Sequence, residues 1–201
     1  MSDESPHSPD EVLRCHAEAL AFFGRGVHAV LPDRWDLPTP DEDWTVRDLV
    51  NHLTVEQLWV PPLVDEGLDP AAVGDRFDGD VLGDDPAAAW DAAAGAARRS
   101  WERPGALEKR VHLSYGVSSG LAYCAQMTAD ATVHGWDLAR AVGADPRVPE
   151  SLVAFSLREF GGYSGSLADS GLFAPPVEIP GNAPAADRLL ALTGRSPGWR
   201  P

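Results

Sequence analysis

Residues 128–141 read TADATVHGWDLARA, and this stretch decides the fold of the chain. Small and apolar residues recur in it at helical spacing, and Gly143 follows where a glycine commonly ends a helix. Asp130 and His134 stand four positions apart, so on a helix they lie one above the other on one face. Such a pair can share a metal ion, and two ligands from one rigid helix lose less entropy on binding it. An exposed hydrogen-bonded pair has the same spacing, so the stretch alone leaves both interpretations open.

A second segment, WTVRDLVNHL at residues 44–53, has the features of a helix start. Thr45 suits the N-cap position, and Asp48 three residues later can close a capping box. On that helix His52 and Glu56 project from one face that is bordered by apolar residues. His52 is therefore the candidate for a third metal ligand. A partly buried core histidine would have the same surroundings, so this segment also leaves the question open.

Hydrophobic periodicity predicts an all-α protein, because Ala and Leu are plentiful and runs of β-branched residues are rare. The predicted helices span residues 10–31, 45–66, 86–102, 118–142, 149–160 and 184–193, with a break expected at the proline pair 61–62. Residues 107–115 alternate in strand fashion and predict a short extended segment, such as one arm of a small hairpin. Four long amphipathic helices predict a four-helix bundle, whose core is where facing helices assemble metal sites.

The length of 201 residues suits a single domain, residues 1–201, with a sizeable core. We expect residues 1–8 to be a flexible tail and residues 174–201 to be a proline-rich C-terminal extension with one short helix. The Gly- and Asp-rich residues 67–85 predict a solvated acidic loop, long enough to act as a lid over one end of the bundle. His16 shares an apolar stripe of the first helix, which predicts a core or boundary histidine rather than a ligand.

The chain carries 16 Lys and Arg residues against 31 Asp and Glu residues, a formal net charge of −15. Phosphate backbones and anionic lipid surfaces repel such a chain, so nucleic acid and membranes are not expected partners. No apolar run approaches the roughly 18–20 residues that span a bilayer, and the N-terminus lacks the pattern of a signal peptide. Cys15 and Cys124 show no metal or redox spacing, and Cys124 faces away from Asp130 on the same helix. These features predict a cytoplasmic protein with reduced thiols.

Four motifs resemble those of a known family: WTVRDLVNHL at 44–53, DATVHGWDLA at 130–139, APPV at 174–177 and DRLLALTG at 187–194. The resemblance is to the DinB-like superfamily, in its actinobacterial branch around mycothiol-dependent maleylpyruvate isomerase, and it covers about residues 10–197. It implies a DinB-like four-helix bundle that holds a divalent metal, zinc or nickel, on three side chains. Matched residue by residue, those side chains are His52, Asp130 and His134.

The chain departs from the isomerase pattern in two ways. The isomerase has Glu at the position of Asp130, whereas the shorter carboxylate is common in the uncharacterised members of this branch. The isomerase also has a larger C-terminal domain that contributes an arginine to catalysis, and no arginine here was matched to that one. The resemblance therefore implies the metal more directly than the particular isomerisation. A His/His/carboxylate set accepts zinc, nickel, iron or manganese, so it does not identify the metal.

Three protein ligands leave an open coordination position, which separates a catalytic zinc site from a closed structural one. A thiol coordinated at that position is deprotonated, so the family's thiol cofactor would become a nucleophile without a protein base. The leading hypothesis is therefore a metal-dependent transferase or isomerase. It would activate mycothiol, or a similar low-molecular-weight thiol, for transfer to an electrophilic small-molecule substrate or for isomerisation.

Further residues have candidate roles around these ligands. Asp137, about one turn beyond His134, either orients that ligand as a hydrogen-bond acceptor or belongs to a surface network. Glu56 is a candidate fourth ligand or general base. Three residues either wall the pocket or pack in the core: Trp59, Tyr123 and Met127.

Two non-enzymatic interpretations also remain open. One is a protein that binds a metal, or a metal and a thiol together, as a sensor, carrier or resistance module. The other is a scaffold or homodimerising bundle with vestigial site residues, since bundles of this family often pair. The sequence identifies neither a catalytic residue nor a substrate.

Overall fold

The stretch 128–141 lies within a helix of 23 residues, which is the longest in the described part of the chain. The computed structural model describes residues 5–41, 43–161 and 173–201. The helices are α1 (Pro9–Ala29), α2 (Val46–Val60), α3 (Pro70–Val73), α4 (Pro86–Trp101), α5 (Gly120–Val142), α6 (Glu150–Gly161) and α7 (Ala185–Leu192). Strands β1 (Arg110–Leu113) and β2 (Gly116–Ser119) pair antiparallel, so the predicted extended segment is one arm of a small hairpin.

Four long helices form the bundle that the sequence predicts. α1 packs against α5 and α4, and α2 packs against the same two helices, so each helix has two bundle neighbours. α6 covers α5 and α1, and α7 packs on α6. Because α5 contacts three other helices, its residues 131–139 are all buried. The prediction of an all-α four-helix bundle with extra C-terminal helices is confirmed.

The helix ends follow the chemistry that the sequence predicts. Thr45 and Asp48 form a reciprocal capping box at α2, in which each backbone N–H donates to the other side chain, at 3.0 and 3.2 Å. Gly143 ends α5 at a φ of 73°, a left-handed conformation that glycine adopts without strain. α2 ends at Val60 and the chain continues as one π-helical turn, Pro61–Asp65, so the expected break occurs at the proline pair.

Two residues of the predicted flexible tail take part in the fold. Residues 1–4 lie outside the described residues, but the Ser8 side chain caps α1 by accepting from Glu11 N. His7 is buried and stacks on Phe155, with ring centroids 3.8 Å apart. Residues 7 and 8 therefore belong to the packed fold, because α6 supplies an apolar surface that the sequence around them does not reveal. Within the described residues, no helix has the length and apolarity needed to cross a bilayer.

α1 and α5 approach closely because glycines face bulky side chains across their interface. A Cβ atom at Gly135 would lie 2.5 Å from the Phe22 ring, and one at Gly26 would lie 2.8 Å from Leu138. Both distances are shorter than real Cβ contacts, so these two positions require glycine. Gly135 directly follows His134, so the same contact fixes α5 at the candidate ligand.

We predict that Gly135→Ala lowers the free energy of unfolding by about 1–3 kcal/mol, because the added methyl group overpacks Phe22. Gly95→Ala in α4 is the matched control, since its Cβ would meet only the mobile end of the Arg99 side chain, at 3.3 Å. That control should be neutral or stabilising by up to about 1 kcal/mol through helix propensity. Urea unfolding measures both changes. Equal effects of the two substitutions would contradict the close packing of α1 on α5.

His16 lies in the bundle core with 1% of its surface exposed, as the sequence predicts. Burial, assisted by the nearby Arg98 guanidinium, lowers the pKa of His16 from 6.5 to about 4. Above pH 6.5 both the folded and the unfolded chain hold this imidazole neutral. Between pH 6.5 and 4 the unfolded chain binds a proton that the folded chain does not, so acidification favours unfolding.

The metal-free protein should therefore lose up to about 3 kcal/mol of unfolding free energy through His16 between pH 6.5 and 4. Urea unfolding at a series of pH values measures this loss. His16→Asn should flatten the pH dependence by that amount, whereas substitution of the exposed His112 by Asn should leave it unchanged. The same slope in His16→Asn and in the original chain would disprove the assignment.

Candidate metal centre

His52 of α2 and two residues of α5, Asp130 and His134, come together where the two helices face each other. Nε2 of His52 lies 3.8 Å from Oδ2 of Asp130, and Nε2 of His134 lies 3.5 Å from Oδ1 of Asp130. The two imidazole rings meet edge to face, with centroids 5.4 Å apart. One nitrogen or oxygen atom from each residue lies within 4.8 Å of the other two. The structure thus brings together the three side chains that the sequence singled out.

This donor set fits a divalent ion. Zinc binds imidazole nitrogen and carboxylate oxygen at about 2.0–2.2 Å, so tetrahedral ligands stand roughly 3.3–3.6 Å apart. The two distances to Asp130, 3.5 and 3.8 Å, are close to that range, and the ligand nitrogens of His52 and His134 lie within 4.8 Å of each other. His134 is 4% exposed at its side chain, whereas His52 and Asp130 are 33% and 28% exposed. An ion held here would be anchored from inside the bundle and would face solvent on the other side.

Electrostatics holds these groups in mutually favourable charge states. Burial opposes a charge on His52, but the adjacent Asp130 carboxylate outweighs burial and raises the pKa of His52. Burial likewise opposes a charge on Asp130, but His134 and His52 outweigh it and lower the pKa of Asp130. Burial, followed by repulsion from Asp130, raises the pKa of Glu56. Glu56 therefore binds its proton more tightly than an exposed glutamate does, and it lies near the two imidazoles and Asp130.

Asp137 is hydrogen-bonded to His134, which is the contact that one of the two roles left open by the sequence requires. Nδ1 of His134 lies 3.0 Å from Oδ2 of Asp137, and Asp137 is completely buried. A carboxylate only accepts hydrogen bonds, so Nδ1 carries the proton that Asp137 accepts, and Nε2 is the ring nitrogen on the side of Asp130 and the candidate metal position. That is the tautomer that a metal ligand needs, and the alternative of a surface network is excluded by burial.

Sequence reasoning missed two residues behind His134. The Arg195 guanidinium donates to Oδ2 of Asp137 at 3.0 Å and to Oδ2 of Asp41 at 2.6 Å. Asp41, His134 and Asp137 also have metal-binding spacing, but the Arg195 cation already bridges the two carboxylates. Arg195 lies 58 positions beyond Asp137 and Asp41 lies in the loop before α2, so no local spacing could have indicated them.

The three predicted pocket residues, Trp59, Tyr123 and Met127, all belong to or pack against the main core cluster. Trp59 packs edge to face on Phe77, with centroids 5.6 Å apart. Tyr123 is buried edge to face against Trp101, and its pKa is raised well above its ordinary value by burial and then by the Glu56 carboxylate. Met127 is buried in the main core cluster.

Trp44, which sequence reasoning did not assign to the site, covers it instead. Its ring lies 4.8 Å from the His52 ring and 5.9 Å from the His134 ring, measured between centroids. Its place in a helix-start motif could have suggested nearness to His52, but nothing local indicated that it would reach α5. Cys124 is fully buried, and burial raises its pKa well above the ordinary value for a thiol.

A groove of about 540 Å³ opens beside His52. We call it the acidic groove; its lining includes Asp43, Trp44, Asp48, His52, Phe77 and Asp78. The predicted acidic loop forms its outer wall, because the Asn51 side chain of α2 donates to Gly79 O at 2.9 Å and accepts from Val81 N at 2.8 Å. Among the described residues that line it, there are three carboxylates and no Lys or Arg.

Comparison with known proteins gives a family match over this region. Residues 16–139, more than half of the chain, match the family model of the mycothiol maleylpyruvate isomerase N-terminal domain. The matched span contains the three candidate ligands and Asp137, and it ends before Arg195.

Two uncharacterized proteins of Mycobacterium tuberculosis, from strains CDC 1551 / Oshkosh and ATCC 25618 / H37Rv, are similar over nearly their whole length. Each is 29% identical over 186 residues, which cover 92% of this chain and 97% of the relative. Among solved structures, the mycothiol-dependent maleylpyruvate isomerase is similar in fold, with a TM-score of 0.60 at 16% identity, covering 74% of this chain and 68% of that chain. A mutant of that isomerase with a histidine replaced by alanine has the same TM-score at 14% identity over the same shares of the two chains.

We predict that untagged protein takes up close to one equivalent of divalent metal and that His52→Ala or His134→Ala abolishes this uptake. Loss of a ligand should weaken binding by more than the roughly 10–100-fold that loss of an outer partner costs. Elemental mass spectrometry after dialysis against zinc measures the content, and circular dichroism checks the fold. His112→Ala, an exposed histidine on β1, is the control and should keep the metal. Equal metal content in all four proteins would disprove the ligand assignment.

Proposed function

The chain belongs to the family of the mycothiol maleylpyruvate isomerase N-terminal domain, and on that premise we propose that it activates a low-molecular-weight thiol at a divalent metal. The thiol is mycothiol or a close analogue, and the activated sulfur is used for transfer to an electrophile or for isomerisation. The observation that carries this proposal is the convergence of His52, Asp130 and His134 at a point that is anchored inside the bundle and open on one side.

The candidate ligands and their neighbours would have different roles. His52, Asp130 and His134 would hold the ion, which when bound supplies the positive charge that turns a coordinated thiol into a thiolate. Asp137 keeps the His134 lone pair aimed at the site through the 3.0 Å hydrogen bond. Trp44 shields the two imidazoles from water on one side.

Glu56 is the group best placed to move a proton. Burial and repulsion from Asp130 raise its pKa, so its carboxyl keeps a proton to higher pH than an exposed glutamate would. A carboxyl in that state can donate to the electrophile as the thiolate attacks, and it can take the proton back when product leaves. We assign Glu56 the role of general acid and base rather than that of a fourth ligand, because it does not belong to the group of side chains whose ligand atoms all lie within 4.8 Å of one another.

The acidic groove supports a thiol rich in hydroxyl groups. Its three carboxylates accept hydrogen bonds and donate none, and they repel anions. Trp44 and Phe77 add flat apolar surface on which the C–H face of a sugar ring can lie. Mycothiol offers many hydroxyl donors and no carboxylate, whereas glutathione carries carboxylates. The groove therefore favours the first thiol over the second.

The decisive experiment is a turnover screen of zinc-loaded and nickel-loaded protein with mycothiol and a panel of electrophiles, maleylpyruvate included. We expect thiol-dependent product formation that is lost in His52→Ala and kept in His112→Ala. Saturable binding of the thiol without any product would overturn the enzymatic proposal and favour a non-enzymatic metal- and thiol-binding protein.

Thiol selectivity is a separate prediction. In cobalt-loaded protein, thiolate coordination produces a charge-transfer absorption band that reports binding directly. Mycothiol should bind at least about tenfold more tightly than glutathione, which corresponds to about 1.4 kcal/mol. Asp78→Asn should narrow that ratio by removing one repelling charge, and Asp84→Asn, an exposed change outside the groove lining, should not. Equal affinities for the two thiols would contradict the role assigned to the acidic groove.

A further inference from the structure

We infer that Arg195 is a positioning residue for the metal ligand His134 and that it acts through Asp137. This inference rests on the proposed role of His134 as a ligand and deepens it, because it assigns part of the site to the C-terminal segment. Arg195 lies outside the span that matches the family model, so neither the family match nor the motif spacing assigns it a role.

All three nitrogens of the guanidinium are used. Nε lies 3.4 and 3.3 Å from the two Asp137 oxygens, Nη2 lies 3.0 Å from Asp137 and 2.6 Å from Asp41, and Nη1 donates to Thr193 O at 2.7 Å. Oδ2 of Asp137 is the same atom that accepts from Nδ1 of His134. One carboxylate oxygen thus contacts both the guanidinium and the imidazole. The position of this oxygen therefore sets the orientation of the imidazole ring.

Because both charged groups are buried, each of them needs the other as a partner. The side chains of Asp137 and Arg195 are 0% and 2% exposed. A buried carboxylate that loses its cation is strongly destabilised, and it turns toward water or another donor if it can. Such a turn would release Nδ1 of His134 and with it the tautomer that leaves Nε2 free for a metal. A planar fork can bridge Asp137 and Asp41 together, whereas an ammonium group offers one point of charge.

The backbone is shaped to present Arg195 at this point. Gly194 precedes it at a φ of 80°, and a Cβ there would meet Ala174 at 2.6 Å, so the turn after α7 requires glycine. The Phe173 ring lies 5.4 Å from the guanidinium and covers its face. A separate contact, from Arg140 Nη2 to Pro197 O at 2.8 Å, ties down the residues that follow.

That separate contact provides the matched control. Arg140→Gln removes a contact of the same C-terminal segment without touching His134, Asp137 or Asp41. Arg195→Met and Arg195→Lys remove the fork, and the lysine variant keeps the charge. If Arg195 served only to hold the segment in place, the Arg140 and Arg195 variants would behave alike at the site.

Two readouts decide the matter. In metal-free protein above pH 8, nitrogen NMR of the imidazoles, with the His134 signals identified by their loss in His134→Ala, should show the Nδ1–H tautomer in the original chain and in Arg140→Gln. In Arg195→Met it should show a mixture of tautomers. Competition with a chromophoric chelator should show zinc affinity about 10–100-fold weaker in Arg195→Met and Arg195→Lys. Arg140→Gln should stay within about twofold of the original chain, well under the effect expected for loss of a ligand's partner.

An unchanged tautomer and affinity in both Arg195 variants would overturn the inference, and so would equal losses in Arg140→Gln. If the methionine variant does not fold, the lysine variant decides by the same two readouts. A wild-type chain that binds no zinc would refute the proposed function, while the tautomer measurement would still test whether Arg195 positions His134.

Discussion

The structure depends on a fully buried carboxylate, Asp137, in the C-terminal half of the longest helix of the described chain. A buried negative charge must be paired and hydrogen-bonded, or it destabilises the fold. Here it accepts from the His134 imidazole on one side and from the Arg195 guanidinium on the other. The bundle, the loop before α2 and the C-terminal segment each supply residues that surround this charge. The contacts that stabilise the buried carboxylate therefore also set the geometry of the candidate metal centre.

Close packing of the helices around α5 holds the partners of the buried Asp137 carboxylate in place. α5 is surrounded by α1, α2 and α6, and the glycine at position 135 lets the Phe22 ring of α1 reach its backbone. A rigid α5 keeps Asp130, His134 and Asp137 on one face, while α2 supplies His52 from across the bundle. Solvent reaches the centre from the His52 side, beside the acidic groove. The fold thus separates an inner side that orients the ligands from an outer side that can receive a small molecule.

Much of the fold was readable from local patterns. The Thr45 and Asp48 capping box, the proline pair at the end of α2 and Gly143 each have a short-range physical cause, and each predicted element end lies within a few residues of the observed one. The pairing of Asp130 with His134 followed from helical spacing, and the nearness of His52 followed from the family resemblance. The packing of His7 on Phe155 was missed, because a residue outside a periodic helix shows nothing of the surface that covers it.

The sequence by itself determined the helices and their buried faces, because helical periodicity and capping act over a few residues. Its family motifs identified the three candidate ligands. Only the tertiary structure decided that Asp137 is wholly buried, that Arg195 and Asp41 complete its surroundings, and that Trp44 covers both imidazoles. These contacts join residues far apart in the chain. These contacts form only when three separate segments of the chain meet at α5. The spacing of residues within any one segment does not indicate that they will meet.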